Sequence, residues 1–318
     1  MILLVTNRGD VTTDFVVAAL RRRGAPFVRL NTEDLLRRWR FTWTTSGWKA
    51  ADSRGRALRS RDVRAAYYRR PRTPHPVDGT ADAAGAFAGR EGATLLRGLC
   101  ADTTAFWISE PAAIEVAEDK LLQLRTACAL GFDVPPTIVT NVPEEAHEFV
   151  AAVGKAIVKP LSSGQLSGEP PQLAYTAELH GDDDLADVAL APHLIQQRVD
   201  KLADLRVTVV SESVFACRIA SQAHVATSLD WRRATSEGID LDHEMVELPP
   251  NERARCVALV RTLGLRFGAI DLVETRAGLT FLEINPNGQW AWIEQRTGAP
   301  IADALAAALV GEGGYAAA

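Results

Sequence analysis

The sequence predicts an α/β (α+β) protein of two or three domains, and three observations carry that prediction. The chain has 318 residues, more than one ordinary core accommodates. It opens on a strand–helix–strand pattern: an apolar run at residues 2–5, a helical spacing of Phe15, Val16, Ala19 and Leu20, and a second apolar run at 27–30. Near its other end, residues 269–274 and 281–285 alternate apolar and polar positions around a Gly-containing turn at 275–278, the pattern of a β-hairpin.

Residues 2–5 are apolar throughout, as in a buried parallel strand. A polar loop covers 6–12, and a helix follows over 14–23, with Thr13 or Asp14 as its cap and Gly24 as its stop. No G-x-G-x-x-G follows the first strand, so a dinucleotide fingerprint is missing from the sequence. Further strands are expected over 41–50 and 63–68, ending in Tyr67-Tyr68-Arg69-Arg70-Pro71. Arg69 and Arg70 are either surface charge or binders of a substrate carboxylate. An Ala-rich helix covers 80–100, and 107–111 connects out of the first domain.

A second unit begins near Ala112. It is expected to hold a helix over 118–130, broken by Gly131 and Pro135-Pro136, a strand from Ile138, a helix over 143–153 and a strand over 156–159. Residues 161–171 are rich in Gly, Ser and Pro and read as a mobile loop beside Lys159. Strands are expected over 194–199, 205–210 and 214–219. Helices are expected over 253–263, before the hairpin, and over 300–310, with a frayed end at 313–318.

Bulk properties narrow the function. The chain is 47% hydrophobic and 24% charged, the balance of a soluble globular protein. A net charge of −5 argues against general nucleic-acid binding. Its four cysteines lack C-x-x-C spacing and read as reduced, mostly buried thiols, and the six histidines lack zinc-type spacing. With a short apolar start, no basic segment before it and no membrane-length run, the expected location is cytoplasmic, with no membrane partner.

The hairpin carries the chemistry. Pairing around 275–278 sets Asp271 opposite, or one place from, Glu283, with Asn285 on the face of Glu283. Ile270, Leu272, Leu282 and Ile284 make the other face apolar. Two carboxylates and an amide suit a hard cation such as Mg²⁺, which takes oxygen ligands and often shares them with substrate phosphates. The polar tract from Asn285 to Trp290 follows the strand directly, where active-site loops tend to lie. Trp290 and Trp292 read as packing residues. A Mg²⁺–triphosphate site also needs cations for the remaining phosphate oxygens, and Lys120 and Lys159 are candidates; each taken alone would read as a solvated lysine. No Walker A sequence occurs.

The ordered set Lys120, Val158-Lys159-Pro160 with its Gly-rich loop, Ile195 to Val199, Asp204-Leu205-Arg206, Asp230-Trp231-Arg232, Asp271 and Glu283-Ile284-Asn285-Pro286 resembles the ATP-grasp superfamily over residues 112–310. The resemblance implies an ATP-grasp fold with an N-terminal pre-ATP-grasp α/β domain (1–111), a central subdomain (112–190) and a C-terminal subdomain with the Mg-ATP site (191–318). It further implies ATP and Mg²⁺ as cofactors, with phosphate contacts from Lys120 and Lys159 and an adenine-facing hinge at Gln197, Arg198 and Val199. Asp204 would hold the ribose. Arg206 and Arg232 would lie on the γ-phosphate side, and Asp271, Glu283 and Asn285 would ligate Mg²⁺. Gln197 departs from the pattern, since many relatives carry Glu there.

The segments ILLVTNRGDVTTDFV, FVRLNTED, YYRRP and LEINPNGQWAWIEQRTGAPIADAL resemble, over nearly the whole chain, the peptide-modifying ATP-grasp ligases that mature graspetides, the microviridin-type macrocyclases among them. That resemblance implies activation of Asp or Glu side chains of a ribosomal precursor and their linkage to Ser/Thr hydroxyls or Lys amines. The implied partner is a precursor peptide with leader and core, the leader near residues 231–247; a homodimer is compatible with it. The rival expectations are a ligase acting on a small amino acid or a protein C-terminus, and a non-catalytic peptide-binding subunit.

Overall fold

The protein is described by a computed structural model covering residues 1–75, 82–162, 165–166, 172–173 and 176–311. Four strands, β1 (Ile2–Thr6), β2 (Phe27–Asn31), β6 (Ala65–Tyr68) and β7 (Phe106–Ile108), make a parallel sheet in the order β2-β1-β6-β7. Strand β1 is buried at all five positions, as its apolar run requires of a central parallel strand. Helix α1 (Val11–Arg22) starts three residues earlier than the spacing predicts, so neither Thr13 nor Asp14 caps it. Asp10 occupies the cap position, but its carboxylate instead accepts the hydroxyls of Thr6 (2.8 Å) and Thr13 (2.5 Å).

After the four-residue helix α2 (Leu35–Arg38), the strand expected over 41–50 is in fact two. Strands β3 (Trp39–Thr44) and β4 (Gly47–Asp52) form a hairpin extended by β5 (Ala57–Arg59). The chain reverses at Gly47, whose φ of +117° disfavours any side chain. Helix α3 (Asp82–Ala101) closes this layer, with Leu96 and Leu99 packed against Leu3, Val5 and Trp48. The helix expected over 118–130 is also two, α4 (Pro111–Ala117) and α5 (Lys120–Ala129). Asp119 separates them by capping α5, accepting from the amides of Leu121 (2.8 Å) and Leu122 (3.2 Å).

The central sheet is antiparallel, in the order β12-β9-β13-β8, from β8 (Thr137–Thr140), β9 (Ala156–Lys159), β12 (Ala177–Leu179) and β13 (His193–Gln197). Helix α6 (Pro143–Val153) covers one face through Ala146 and Val150. A two-residue pairing of β10 (Gln165–Leu166) with β11 (Gln172–Leu173) lies between β9 and β12. Most of the loop expected over 161–171, and the end at 313–318, fall outside the described residues. Strand β13 lies beyond the expected 190/191 boundary, so the central sheet runs on to Gln197.

A five-stranded antiparallel sheet completes the fold in the order β16-β15-β14-β17-β18, from β14 (Ala203–Val210), β15 (Ser213–Ile219), β16 (His243–Val246), β17 (Phe267–Thr275) and β18 (Gly278–Asn285). Short helices α7 (Val225–Ser228) and α8 (Arg233–Glu237) connect β15 to β16. Strand β14 is buried at all eight positions because both faces are covered. Helix α9 (Pro250–Thr262) lies on one face, joined by Ile114, Ala117 and Ala127 of α4 and α5. The stretch from 112 to 132 therefore packs with the C-terminal sheet rather than with the central one. Helices α10 (Ala291–Thr297) and α11 (Ile301–Val310) cover the other face in one core with Leu4, Val16 and Leu20 of the N-terminal sheet layer. Trp290 is fully buried there, as a packing residue should be.

Cys100, Cys217 and Cys256 are buried and Cys128 is exposed; none forms a disulfide. Burial pushes the Cys100 and Cys256 thiols up to about 12 and Cys217 to about 11, far from reactive thiolates. No helix among the described residues is long and apolar enough to cross a membrane.

Candidate active site

Strands β17 and β18 turn over Thr275–Gly278, where the Thr275 hydroxyl donates to the Gly278 carbonyl (2.9 Å) and accepts the Ala277 amide (3.1 Å). Asp271 pairs directly with Glu283. A bulge follows: Leu272 pairs with Phe281, which leaves Leu282 as the extra residue. The simple alternation is therefore corrected. Phe281 and Ile284 enter the core, while Leu282 joins Glu283 in lining a cleft.

That cleft has a volume of about 580 Å³, and its polar wall contains Lys120, Lys159, Arg232, Asp271, Glu283 and Asn285. A hollow of about 130 Å³ adjoins it, lined by Gln197, Arg198 and Val199. Ile157, Leu229 and Leu282 border both spaces, so the junction between them is apolar. The amides of Gln197 and Arg198 already donate to Pro136 O and Lys155 O, each at 2.9 Å. Arg198 also pairs with Glu178 at 2.9 Å.

The cations arrive from three elements. Lys120, first residue of α5, donates to Pro160 O (2.7 Å) and lies 3.9 Å from Glu283. Lys159, last residue of β9, donates to Gln196 Oε1 (3.0 Å), and Gln196 is oriented in turn by donating to Thr137 Oγ1 (2.9 Å). Burial pushes both ammonium groups below the usual lysine range, while Glu283 pulls the other way. Arg232 is held by a two-pronged contact with Asp230 at 2.8 Å, which raises its pKa, and its Nη1 lies 3.7 Å from Glu283. Burial opposes ionisation of Glu283, but Lys159, Arg232 and Lys120 outweigh it and hold the carboxyl below its ordinary range. Burial pushes the Asp271 carboxyl upward, with Arg206 acting against it.

Arg206 lies buried behind Asp271, donating to Oδ2 at 2.7 Å, and is not among the residues that line the cleft. A side chain on Gly288 would collide with its guanidinium. Asp204 does reach the cleft, but it is paired with Lys201 at 2.7 Å, a partner the sequence reading missed. Gln196 and Asp230 stood in the ordered motif set without a role of their own, and Leu282 was placed on the apolar face of the hairpin. The two-residue spacing of Asp230 and Arg232 was the available signal for that pair.

Neither sequence-based alternative describes Arg69. It is fully buried, donating to Asn287 O (3.2 Å), Gly288 O (3.0 Å) and Gln289 Oε1 (2.7 Å). Arg70 instead faces a second cavity of about 790 Å³ with Tyr68, Arg97 and Glu115. This cavity shares Glu118 and Asn285 with the first, so the two adjoin at those residues. Burial, reinforced by Glu115, raises the Glu118 carboxyl.

Two opposed carboxylates with a neighbouring amide form an oxygen-only donor set. Among the described residues no group of three or more His, Cys, Asp or Glu forms a metal cage. The set fits Mg²⁺, which binds few protein carboxylates and completes its shell with phosphates and water.

A family profile for the RimK-like ATP-grasp domain matches residues 117–309, and the chain belongs to that family. The fold is the ATP-grasp fold. It superposes with a TM-score of 0.85 on the macrocyclase MdnC of Microcystis aeruginosa, solved with its precursor peptide, at 27% identity over 98% of this chain and 100% of that one. A RiPP-associated ATP-grasp ligase of Chryseobacterium gregarium, solved with ADP and a leader and core peptide, shares the fold with a TM-score of 0.89 at 24% identity, covering 98% of this chain and 96% of the other. Among curated relatives, a probable alpha-L-glutamate ligase of Desulfotalea psychrophila is 30% identical over 60% of this chain. The match spans 40% of that relative's length.

Proposed function

We propose that the protein is an ATP-dependent peptide ligase that activates Asp or Glu side-chain carboxylates of a ribosomally made precursor and joins them to Ser/Thr hydroxyls or Lys amines. The observation that carries this reading is the second cavity. It runs from the N-terminal region, mostly outside the family profile, to Glu118 and Asn285, which also line the charged cleft. A small amino acid has no need of about 790 Å³, whereas a peptide segment does. The full-length likeness to a macrocyclase supports the same reading.

The adenine would sit at the apolar junction, against Ile157, Leu229 and Leu282. With the Gln197 and Arg198 amides already engaged, the Val199 amide is the hinge donor left to read the base. Asp204 faces the cleft where a ribose would lie. Lys120 and Lys159 would exchange their present partners for phosphate oxygens. A Mg²⁺ ion held by Asp271, Glu283 and Asn285 supplies charge neutralisation at those phosphates.

The peptide carboxylate attacks the γ-phosphorus of ATP, the bond to the β-phosphate oxygen breaks, and ADP and an acyl phosphate result. Arg232 offsets charge on the group in transfer, and Arg206 acts through Asp271 by fixing its orientation. A hydroxyl or amine in the second cavity then attacks the acyl carbon, loses its proton, and phosphate leaves. The peptide loses the elements of one water per ring, matched by ATP becoming ADP and phosphate. No protein nucleophile is required. The compartment we propose is the cytoplasm, where ATP and nascent precursor meet and unpaired cysteines stay reduced.

The test is mass spectrometry of a candidate precursor, a short Thr/Ser- and Asp/Glu-containing peptide sought in the open reading frames beside the gene, incubated with the protein and Mg-ATP. The expected result is loss of one or more waters. The glutamate-ligase relatives favour a second reading, condensation with a separate amino acid. That reaction would increase the mass, and a mass gain or an unchanged peptide overturns the proposal.

A further inference from the structure

We propose that Arg69 is a positioning residue that sets the metal-side geometry of Asn285 from the N-terminal sheet; the inference rests on the reading of Asn285 as a Mg²⁺ ligand. Arg69 directly follows β6, and its amide donates to Val5 O at 2.8 Å, which locks its backbone onto β1. The guanidinium is fully buried and uses its fork in three directions. Nε faces Asp10 at 3.3 Å, Nη1 donates to the carbonyls of Asn287 and Gly288, and Nη2 donates to Gln289 Oε1. The contacts to Asn287, Gly288 and Gln289 join residues 218 to 220 positions apart.

Both ends of this clamp are themselves held. Asp10 accepts the hydroxyls of Thr6 and Thr13, and Gln289 Oε1 also accepts the Thr12 hydroxyl at 2.6 Å. Arg70 adds a second donor to Asn287 O at 3.2 Å. On its other side, Asn287 donates its amide to Asn285 Oδ1 at 3.0 Å, and the Gly288 amide donates to Asn285 O at 3.2 Å. Three consecutive peptide units, from 286–287 to 288–289, therefore carry the constraint: carbonyls held by Arg69, amides holding Asn285. Only a planar, five-donor group can meet Asp10, two carbonyls and Gln289 together. A lysine keeps the charge but not the fork.

Groups that orient a metal ligand from behind affect metal affinity more than nucleotide affinity, by about 10–100-fold. The experiment measures ADP binding to the full chain by calorimetry, with Mg²⁺ and in EDTA. For wild type, Mg²⁺ tightens ADP binding. Arg69→Lys should leave ADP affinity in EDTA unchanged and raise the apparent Mg²⁺ dissociation constant about 10-fold or more. The double variant Arg69→Lys/Asn285→Ala should bind Mg²⁺ no more weakly than Asn285→Ala alone. Should Arg69→Lys fail to fold, Gln289→Met removes one prong without removing a charge and should show the same Mg²⁺-selective loss.

Equal weakening of ADP in both buffers would mark a purely structural role and overturn the inference. So would an unchanged Mg²⁺ constant in a folded variant, or full additivity with Asn285→Ala. Wild type without Mg²⁺ dependence would remove the metal reading itself, a result separable from failure of Arg69 alone.

Discussion

Gly288 offers a sharp test of the site because its hydrogen faces two groups that cannot both yield. A Cβ there would lie 2.5 Å from Arg206 Nη2 and inside the contact distance of Ala269 Cβ. Ala269 sits on β17, paired with Asn285, so that side is fixed backbone. Relief to an ordinary separation of about 3.5 Å requires the guanidinium to retreat by about 1 Å. Nη1 of the same planar group bonds Asp271 at 2.7 Å, and a retreat of that size directed away from Asp271 would take it out of hydrogen-bond range. Gly288→Ala should therefore cost about 1–3 kcal/mol of stability through overpacking. The larger effect should be kinetic, because a displacement of about 1 Å at a positioned group can lower turnover roughly 100-fold. Thermal melts give the first quantity and peptide-dependent ADP release the second. Wild-type turnover in Gly288→Ala would refute the claim that Arg206 must stand close behind Asp271.

Asp271→Ala, Glu283→Ala and Arg232→Ala should each abolish ATP-dependent water loss from the peptide while circular dichroism stays native; wild-type product from either acidic variant would sink the metal assignment. Burial lowers the Lys159 pKa in the free protein, and a bound phosphate would raise it again. Below the lowered value the lysine is charged in both states and no proton moves. Above it, ADP binding must take up a proton, so affinity should fall as pH rises through that range; calorimetry in buffers of different ionisation enthalpy should detect the uptake, and Lys159→Met should lack it. Leu282→Ala should weaken ADP by about 1–2 kcal/mol through lost apolar contact while leaving tripolyphosphate binding unchanged; equal loss of both would remove Leu282 from the base pocket.

What the sequence disclosed follows interaction range. The helix over 143–153, the strand over 156–159 and the hairpin around 275–278 were legible because periodicity and turn residues act locally. The bulge at Leu282 was not, since one unpaired residue is invisible in an alternating pattern. The split at Asp119 and the reversal at Gly47 had local signals, an N-cap residue and a Ser-Gly step, that longer periodic runs masked. Helix α10 was missed because its polar, Trp-rich approach reads as loop. Among site residues, those carrying charge in an otherwise apolar context stood out. The pairing of Arg206 with Asp271 and of Arg69 with the 287–289 loop depends on contacts 65 and 218–220 residues apart, which no single sequence encodes visibly.

These long-range contacts bear on how the two ligase readings divide. A glutamate ligase and a peptide macrocyclase can share the charged cleft of residues 117–309, because both must phosphorylate a carboxylate. They part where the second substrate enters. In the proposed reading the entrance is the second cavity, bordered by Tyr68, Arg70 and Arg97 of the N-terminal region together with Asn285 at the end of β18 and Asn287 after it. Arg70 contacts the second cavity and also bonds the Asn287 carbonyl, so a peptide carboxylate drawn to Arg70 would act on the loop that orients Asn285. Substrate binding and metal geometry then share one loop, in which the Asn287 carbonyl and the Gly288 amide belong to the same peptide unit. In that arrangement Arg70→Ala should weaken productive use of the peptide while changing nucleotide affinity in EDTA little, a separation that a free-standing nucleotide site would not produce.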